Sequence, residues 1–479
     1  MQFTEEQRRA IEARGTNLLL SAAAGSGKTA VLVQRVLSLI EEGADVRRML
    51  VVTFTRAAAA EMRERLAARL GEAAAEGDAR LREQMLCLDR ASISTLHGFC
   101  AEFLRANFEA AGVDPAFRIL DDAEDARLLD EAADEAMDAL YEEGGEALAR
   151  LDAGCGPDKV RDLALRLYAF LGERPDPEAW LERALDPGQA PVQAWTDELL
   201  RAARRALDAA LAMTRAAHDH PGCPPHYAAA LEKDLDALLE LRGLEEAEAL
   251  SARLRAFKQA RPAGRNRDVD PEDLEAVKAL RKAAGDYVKR CRLSELSLAQ
   301  AREDALKLYG VFPALAEAAR RIGEAHARRK EERGGLSYAD LERCALRALT
   351  REEVRNSVRG QYDYVFVDEY QDVSDLQEAL IAAVSRGDDL FAVGDVKQSI
   401  YRFRLAEPRL FLGRYERYMR GEGGQLLPLT RNFRSTRPVI DFVNAVFSRT
   451  MTGGDSEIVY DDLARLNAGL EGTDDAPIP

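Results

Sequence analysis

The sequence predicts an α/β protein, a parallel sheet wrapped by helices and interrupted by one large all-helical stretch. Three observations carry that prediction. The apolar run Leu18-Leu19-Leu20 leads into a loop of small residues, Ser21 to Thr29, the order of a buried strand ending in a tight turn. Short β-rich runs at Asn17 to Ser21, Met49 to Phe54 and Ser92 to Thr95 are each followed by a helical stretch, and such alternation builds parallel sheets. From about 120 to about 335 the chain turns to Ala, Leu, Arg and Glu at helical spacing. The β-rich pattern then returns at Tyr364 to Val367, Leu390 to Val393 and Leu426 to Leu429, so sequence on both sides of a helical insertion completes one sheet.

Length and composition bound what this fold can do. With 479 residues, 47% of them apolar, the chain is globular and long enough for about two to four domains. Lys and Arg number 67 against 84 Asp and Glu, a net charge of −17. That balance gives no global basic footprint, so any nucleic-acid contact must be local. The start, Met1 to Glu6, lacks the pattern of a signal peptide, and no apolar run reaches the length of a membrane span, which predicts a cytoplasmic protein. Cys87, Cys100, Cys155, Cys223, Cys291 and Cys344 are scattered without a Cys-x-x-Cys pair, and small core residues are the expectation.

The first strand delivers the most specific signal. Ala22-Ala23-Ala24-Gly25-Ser26-Gly27-Lys28-Thr29 can curl so that successive backbone N–H groups face phosphate oxygens, while the next helix offers its positive N-terminus. Lys28 would reach the β- and γ-phosphates of a nucleoside triphosphate and Thr29 would hold Mg²⁺. Ala22 stands where the pattern usually has its first glycine. Beyond the next two strands, Val160, Leu163, Leu167 and Phe170, and later Leu231, Leu235, Leu238 and Leu239, are spaced as core faces of amphipathic helices. Pro/Gly-rich breaks at 175–177, 187–191, 221–225 and 262–264 cut that region into several helices.

The later strands bring charge. Tyr364 to Val367 ends in Asp368-Glu369. Asp368 can hold Mg²⁺ through its water shell, and Glu369 can polarise the water that attacks a γ-phosphate; a plain acidic turn is the alternative. After the strand at Leu390 to Val393, the segment Gly394 to Arg404 interleaves Tyr401 and Phe403 with Arg402 and Arg404. Bases stack on rings and phosphates pair with cations, as a single-strand track requires, whereas core-facing rings are the alternative. Thr430 to Ser435 sets Arg434 beside Phe433. Two weaker signals remain. His218, His220, Cys223 and His226 are zinc-binding types, but their spacing fits no standard finger and a solvated loop is expected. The basic run Arg320 to Arg333 reads either as a phosphate contact or as a solvated helix face.

In chain order, the phosphate loop, Thr53-Phe54-Thr55 with Ala57 to Met62, Ser94 to Phe99, Asp368 to Asp372, Gly394 to Arg404 and Asn432 to Ser435 resemble the motifs of superfamily 1 helicases of the UvrD/RecB type. Ser399 to Pro408 and the long insertion look most like the AddA-type subunits of AddAB helicase-nucleases. The resemblance spans residues 4 to 437, with the insertion matched in character only. It implies a P-loop NTPase with a RecA-like parallel sheet, a large all-helical insertion and the start of a second RecA-like domain. The divisions would be 1–118 and 336–428 for the ATP-binding domain, 119–335 for the insertion and 429–479 for the beginning of the second motor domain.

The same resemblance implies ATP and Mg²⁺ as cofactors, ATP-driven movement on single-stranded DNA, action on double-stranded DNA and an AddB-type partner subunit. Carried over by position, Gln7 recognises adenine, Phe433 stacks on it, Gln398 senses the γ-phosphate and Arg434 is an arginine finger, beside Lys28, Asp368 and Glu369. Phe54, Thr55, Arg56, His97, Phe99, Tyr401, Phe403 and Arg404 line the DNA path. Arg56 stands where Asn is usual, and Phe433 where Tyr is frequent. The later helicase motifs and the nuclease are not found before Pro479, so the expectation is the N-terminal portion of a longer protein. A stand-alone UvrD-type repair helicase and a nucleotide- and DNA-binding module with little activity are the alternative readings.

Overall fold

Six strands form one all-parallel sheet in the computed structural model, which describes residues 3–75, 78–186, 188, 192–264, 270–291, 293, 298–400, 406–453 and 458–469. They are β1 (Leu18–Ala22), β2 (Met49–Thr53), β3 (Ser92–Thr95), β4 (Tyr364–Val367), β5 (Leu390–Gly394) and β6 (Gln425–Leu429), in the spatial order β3-β2-β4-β5-β1-β6. No strand end departs from its predicted position by more than one residue. The reason is burial on both faces, which makes each strand a nearly continuous apolar run. Alternate side chains feed two separate cores: Leu18, Leu20, Val51, Phe366, Phe391 and Val393 enter one, and Leu19, Leu50, Val52, Val365, Val367 and Ala392 enter the other.

Sequence from both sides of the helical stretch does complete this sheet, since β1 pairs with β5 and β6, and β2 pairs with β4. Buried Asn17 fastens the join. Its amide donates to the carbonyls of Gly387 and Gly423, and its oxygen accepts from Leu390 N. A parallel pair of short strands, Arg118–Ile119 against Gly335–Leu336, brings the two ends of the helical stretch together. Gly335 approaches closely there, since a Cβ would lie 2.4 Å from Leu120 Cδ2 and would force that side chain to move.

The chain divides into two compact units. The first comprises Met1–Glu143, Arg161–Pro177 and Ala318–Pro479; the second comprises Gly144–Val160 and Glu178–Glu317. In the second unit the long helix Val192–His218 packs with Pro225–Arg242 and Pro271–Lys289 around Leu207, Leu211, Leu238 and Leu250. Proline at the first position of the latter two fits a site where no helical N–H is needed. In the first unit the acidic helix Asp122–Glu143 receives the basic run of Phe312–Glu332. Arg321 grips Glu143 through two 2.7 Å bonds, and Arg329 reaches Glu131 and Glu135. Among the described residues no helix is long and apolar enough to cross a membrane.

Candidate functional site

β1 ends at Ala22, and the chain turns through the small-residue loop into the helix Lys28–Glu41. Gly25 (φ 70°) and Gly27 (φ 81°) are both left-handed, a conformation that glycine adopts at no steric cost. Gly25 is also crowded, since a Cβ would sit 2.8 Å from Arg434 Cβ. No side chain caps the helix at Gly27, which leaves its first N–H groups oriented for an anion. Ser26 is 1% exposed, and its hydroxyl has no hydrogen-bond partner among the described residues. Gln7, on the helix Glu5–Glu12, holds the loop from outside: its Nε2 donates to the Ser26 carbonyl at 2.9 Å, and its Oε1 accepts from Thr4 N at 2.9 Å.

β4 presents the acids. Glu369 has φ 52°, the one positive φ outside glycine among the described residues, at a cost of about 1–2 kcal/mol. The turn aims its carboxylate at Lys28, whose Nζ lies 2.9 Å from Oε2. Burial first, and then the Glu369 charge, push Asp368 up to about 6; the same two causes act on Asp372, also to about 6. Asp372 keeps one buried carboxylate oxygen without a hydrogen-bond partner. Gln371 ties the group together. Its Nε2 donates to Glu369 (2.9 Å) and Asp372 (3.1 Å), while its Oε1 accepts from Asp395 N (3.0 Å). Gln398 Nε2 in turn donates to Asp395 at 2.8 Å. Lys28, Glu369, Gln371, Asp395 and Gln398 therefore form one polar chain across the ends of β1, β4 and β5.

Beyond β6 the chain returns to the same loop. Asn432 is buried; its Nδ2 donates to the Ala24 carbonyl, and its Oδ1 accepts from Arg434 N and Ser435 N. Phe433 N donates to the Gly25 carbonyl at 2.9 Å. The backbone of Phe433 and Arg434 is thus seated on the phosphate loop, with both side chains exposed. Asn432, Gln371 and Asp395 were not among the predicted site residues. Each acts through contacts 24 or more positions away in sequence for at least one bond, which local patterning does not reveal.

A cleft of about 440 Å³ opens beside the acids, bordered by Thr53, Phe54, His97, Tyr338, Asp368 and Glu369. His97 stands edge-on to Tyr338, and its Nε2 lies 3.1 Å from Glu342, a carboxylate 3% exposed. Glu342 also accepts from Gln377 Nε2 at 2.8 Å. Thr55 accepts from Ala58 N at the start of the helix Arg56–Ala75, and Arg56 reaches toward the Tyr338 hydroxyl. Phe99 differs from its predicted place on the DNA path. It is 4% exposed and stacks with Phe103 in the core, because two residues along the helix Leu96–Ala106 turn the side chain to the opposite face from His97. Tyr401, Phe403 and Arg404 lie outside the described residues. Of the loop cluster, His218 pairs with Asp219, and His220 accepts from Gly222 N; no group of three or more His, Cys, Asp or Glu among the described residues is placed to hold a metal.

Residues 3–419 match the model of the UvrD/REP helicase N-terminal domain. The chain is also similar to proteins named as ATP-dependent helicase/nuclease subunits. It is 38% identical to that of Alkaliphilus oremlandii over 98% of this chain and 41% of the relative. The figures are 36% over 99% and 42% for Geobacillus kaustophilus, and 38% over 97% and 36% for Moorella thermoacetica. The chain therefore spans about two fifths of the length of the curated relatives it matches.

Proposed function

Since the chain belongs to the UvrD/REP helicase family, we propose that it is the ATP-driven DNA motor portion of a recombination and double-strand-break repair helicase-nuclease. The observation that carries this reading is the 2.9 Å pair between Lys28 and Glu369, which holds the phosphate-loop cation against the acid that would manage the attacking water. A buried hydroxyl without a partner at Ser26, an uncapped helix start and the under-neutralised Asp368 fit a triphosphate with its Mg²⁺. When bound, the ion would neutralise charge that develops during the transfer.

The chain's own residues supply the rest. Thr29 and Asp368 would hold the ion, and Lys28 would shift from Glu369 to the β- and γ-phosphates. Glu369, released, orients a water molecule and takes its proton as the water oxygen bonds to the γ-phosphorus and the bond to the departing ADP oxygen breaks. Gln398 and Arg434 answer to the γ-phosphate, Phe433 and Gln7 to the adenine. Single-stranded DNA runs past Phe54, Thr55, Arg56 and His97. Duplex DNA as substrate and a second protein of the AddB type complete the assembly in the cytoplasm; the relatives' being named as subunits supports a partner chain.

Lys28→Ala tests the site. It removes a charge-assisted contact worth roughly 1.5–3 kcal/mol, so calorimetric affinity for ATP should fall at least several-fold and DNA-stimulated hydrolysis should collapse. Unchanged affinity in a folded variant would refute the nucleotide site.

A further inference from the structure

Arg35 is a buried charge with no carboxylate at ion-pair distance among the described residues. It lies on the helix that starts at Lys28, about two turns further on, and is 4% exposed. Its Nη1 donates to the carbonyls of Ala10 (2.7 Å) and Ile11 (3.3 Å), and the guanidinium stands 4.8 Å from the Phe391 ring centre on β5. Burial, and then the nearby Arg14 charge, push it down to about 10. An apolar side chain of similar length would fill such a place more cheaply. What the guanidinium adds is geometry: it hooks the last carbonyls of the helix Glu5–Glu12 onto the phosphate-loop helix.

The helix it holds is short, with polar ties from Arg14 and Gln7 besides. It is eight residues long and buries only Gln7, Ala10 and Ile11. Arg14 clamps its far end, donating to the carbonyls of Ile11 and Ala13 while pairing with Glu42 at 2.7 Å. At its near end Gln7 bonds the Ser26 carbonyl. A rotation or slide of this helix therefore moves Gln7 relative to the loop.

We propose that Arg35 is a positioning residue for base recognition: by fixing the Gln7 helix to the phosphate-loop helix, it sets adenine selectivity without touching the nucleotide. This rests on the nucleotide-site reading given above. The test measures Mg²⁺-supported binding of ATP, GTP and inorganic tripolyphosphate by calorimetry on the full chain and on Arg35→Met, Arg35→Lys and Gln7→Ala. In Arg35→Met the ATP affinity should fall about two- to tenfold toward that of GTP, the worth of one hydrogen bond, with tripolyphosphate affinity unchanged. Arg35→Lys, which can still reach one carbonyl, should lie between. In the Gln7→Ala background, Arg35→Met should add no further loss of selectivity. An ATP-to-tripolyphosphate ratio that stays at its original value overturns the role, whether or not the melting temperature drops, and so does additivity with Gln7→Ala. Should Arg35→Met fail to fold, an unchanged ratio in Arg35→Lys overturns it equally. Failure of the unsubstituted chain to bind either ATP or tripolyphosphate would instead refute the nucleotide site itself, and with it this role.

Discussion

Asp368 and Asp340 are aspartates of the same compact unit, both largely withdrawn from water, and they titrate in opposite directions. Asp340, at the start of the helix Tyr338–Leu349, accepts from Ser337 N and Oγ and pairs with Lys330 at 2.5 Å and Arg343 at 2.8 Å. Burial alone would push it up, but the Lys330 and Arg343 charges outweigh burial and hold it at about 2. Asp368 receives one hydrogen bond, from Glu369 N, and stands beside another acid, so burial and repulsion take it to about 6. Equal burial with unequal neutralisation separates the two. A folded protein satisfies the acids that serve its architecture, and leaves under-neutralised those that receive a cation from outside.

The largest expected effect tests the unsatisfied side of that contrast. Glu369→Gln keeps the shape and the bond from Gln371 but removes the proton acceptor; hydrolysis measured by phosphate release should fall about 10²–10⁴-fold, with ATP affinity retained. Next comes the satisfied side. Asp340→Asn leaves Lys330, 3% exposed, as a buried cation without its counter-charge, and removing one partner of such a pair destabilises by about 3–5 kcal/mol. Urea unfolding should show that loss, while hydrolysis per folded molecule is preserved. If both substitutions damaged hydrolysis equally and neither damaged stability, the contrast would collapse.

The third effect has the opposite sign. Asp368→Asn removes a charge the ligand-free fold holds unfavourably, so it should stabilise by on the order of 1–3 kcal/mol while abolishing Mg²⁺-dependent hydrolysis. The pH dependence follows from the directions. A raised aspartate holds its proton longer in the folded state, so its penalty grows as pH rises from about 4 to about 6 and is complete above that. The advantage of Asp368→Asn should therefore be near zero at pH 4 and full at pH 7. Asp340 is lowered, so its contribution is present above its ordinary 3.8 and is lost as pH falls toward about 2; the Asp340→Asn deficit should shrink over that lower window. Denaturant midpoints across pH 2–7 measure both.

Much of this was legible from sequence because it is local. Buried parallel strands read as apolar runs, and a strand followed by Gly25-Ser26-Gly27-Lys28-Thr29 carries its own geometry. Asp368 and Glu369 follow directly from the strand that presents them. The remainder depends on distant parts of the chain meeting. Asn432 serves a loop 408 positions earlier, Arg48 pairs with Asp363, and Arg174 pairs with Asp375. Phe99 shows the converse failure: a motif read as a string assigns neighbouring residues one role, whereas helical rotation gives His97 the cleft and Phe99 the core.

The smallest expected effect concerns an acid that falls between the two extremes. Glu342 is buried, yet its partners are His97 and the neutral Gln377 amide rather than paired cations. Gln377 belongs to the capping box that starts the helix Asp375–Val384, soon after the Asp368–Asp372 turn, so Glu342 joins the wall of the cleft to the segment that carries the acids. Glu342→Ala leaves the Gln377 amide without its acceptor, a loss of about 1–3 kcal/mol in stability, and removes the carboxylate 3.1 Å from the His97 ring. Single-strand affinity, read by fluorescence anisotropy with an oligothymidylate, should fall about two- to tenfold, again the worth of one hydrogen bond, with ATP affinity unchanged. Glu342→Gln separates charge from geometry, because its amide oxygen can still accept from Gln377 and face the His97 ring. Near-normal DNA binding in that variant means that Glu342 acts by holding the ring; a loss equal to that of Glu342→Ala means that its charge matters, which would move Glu342 to the side of Asp340.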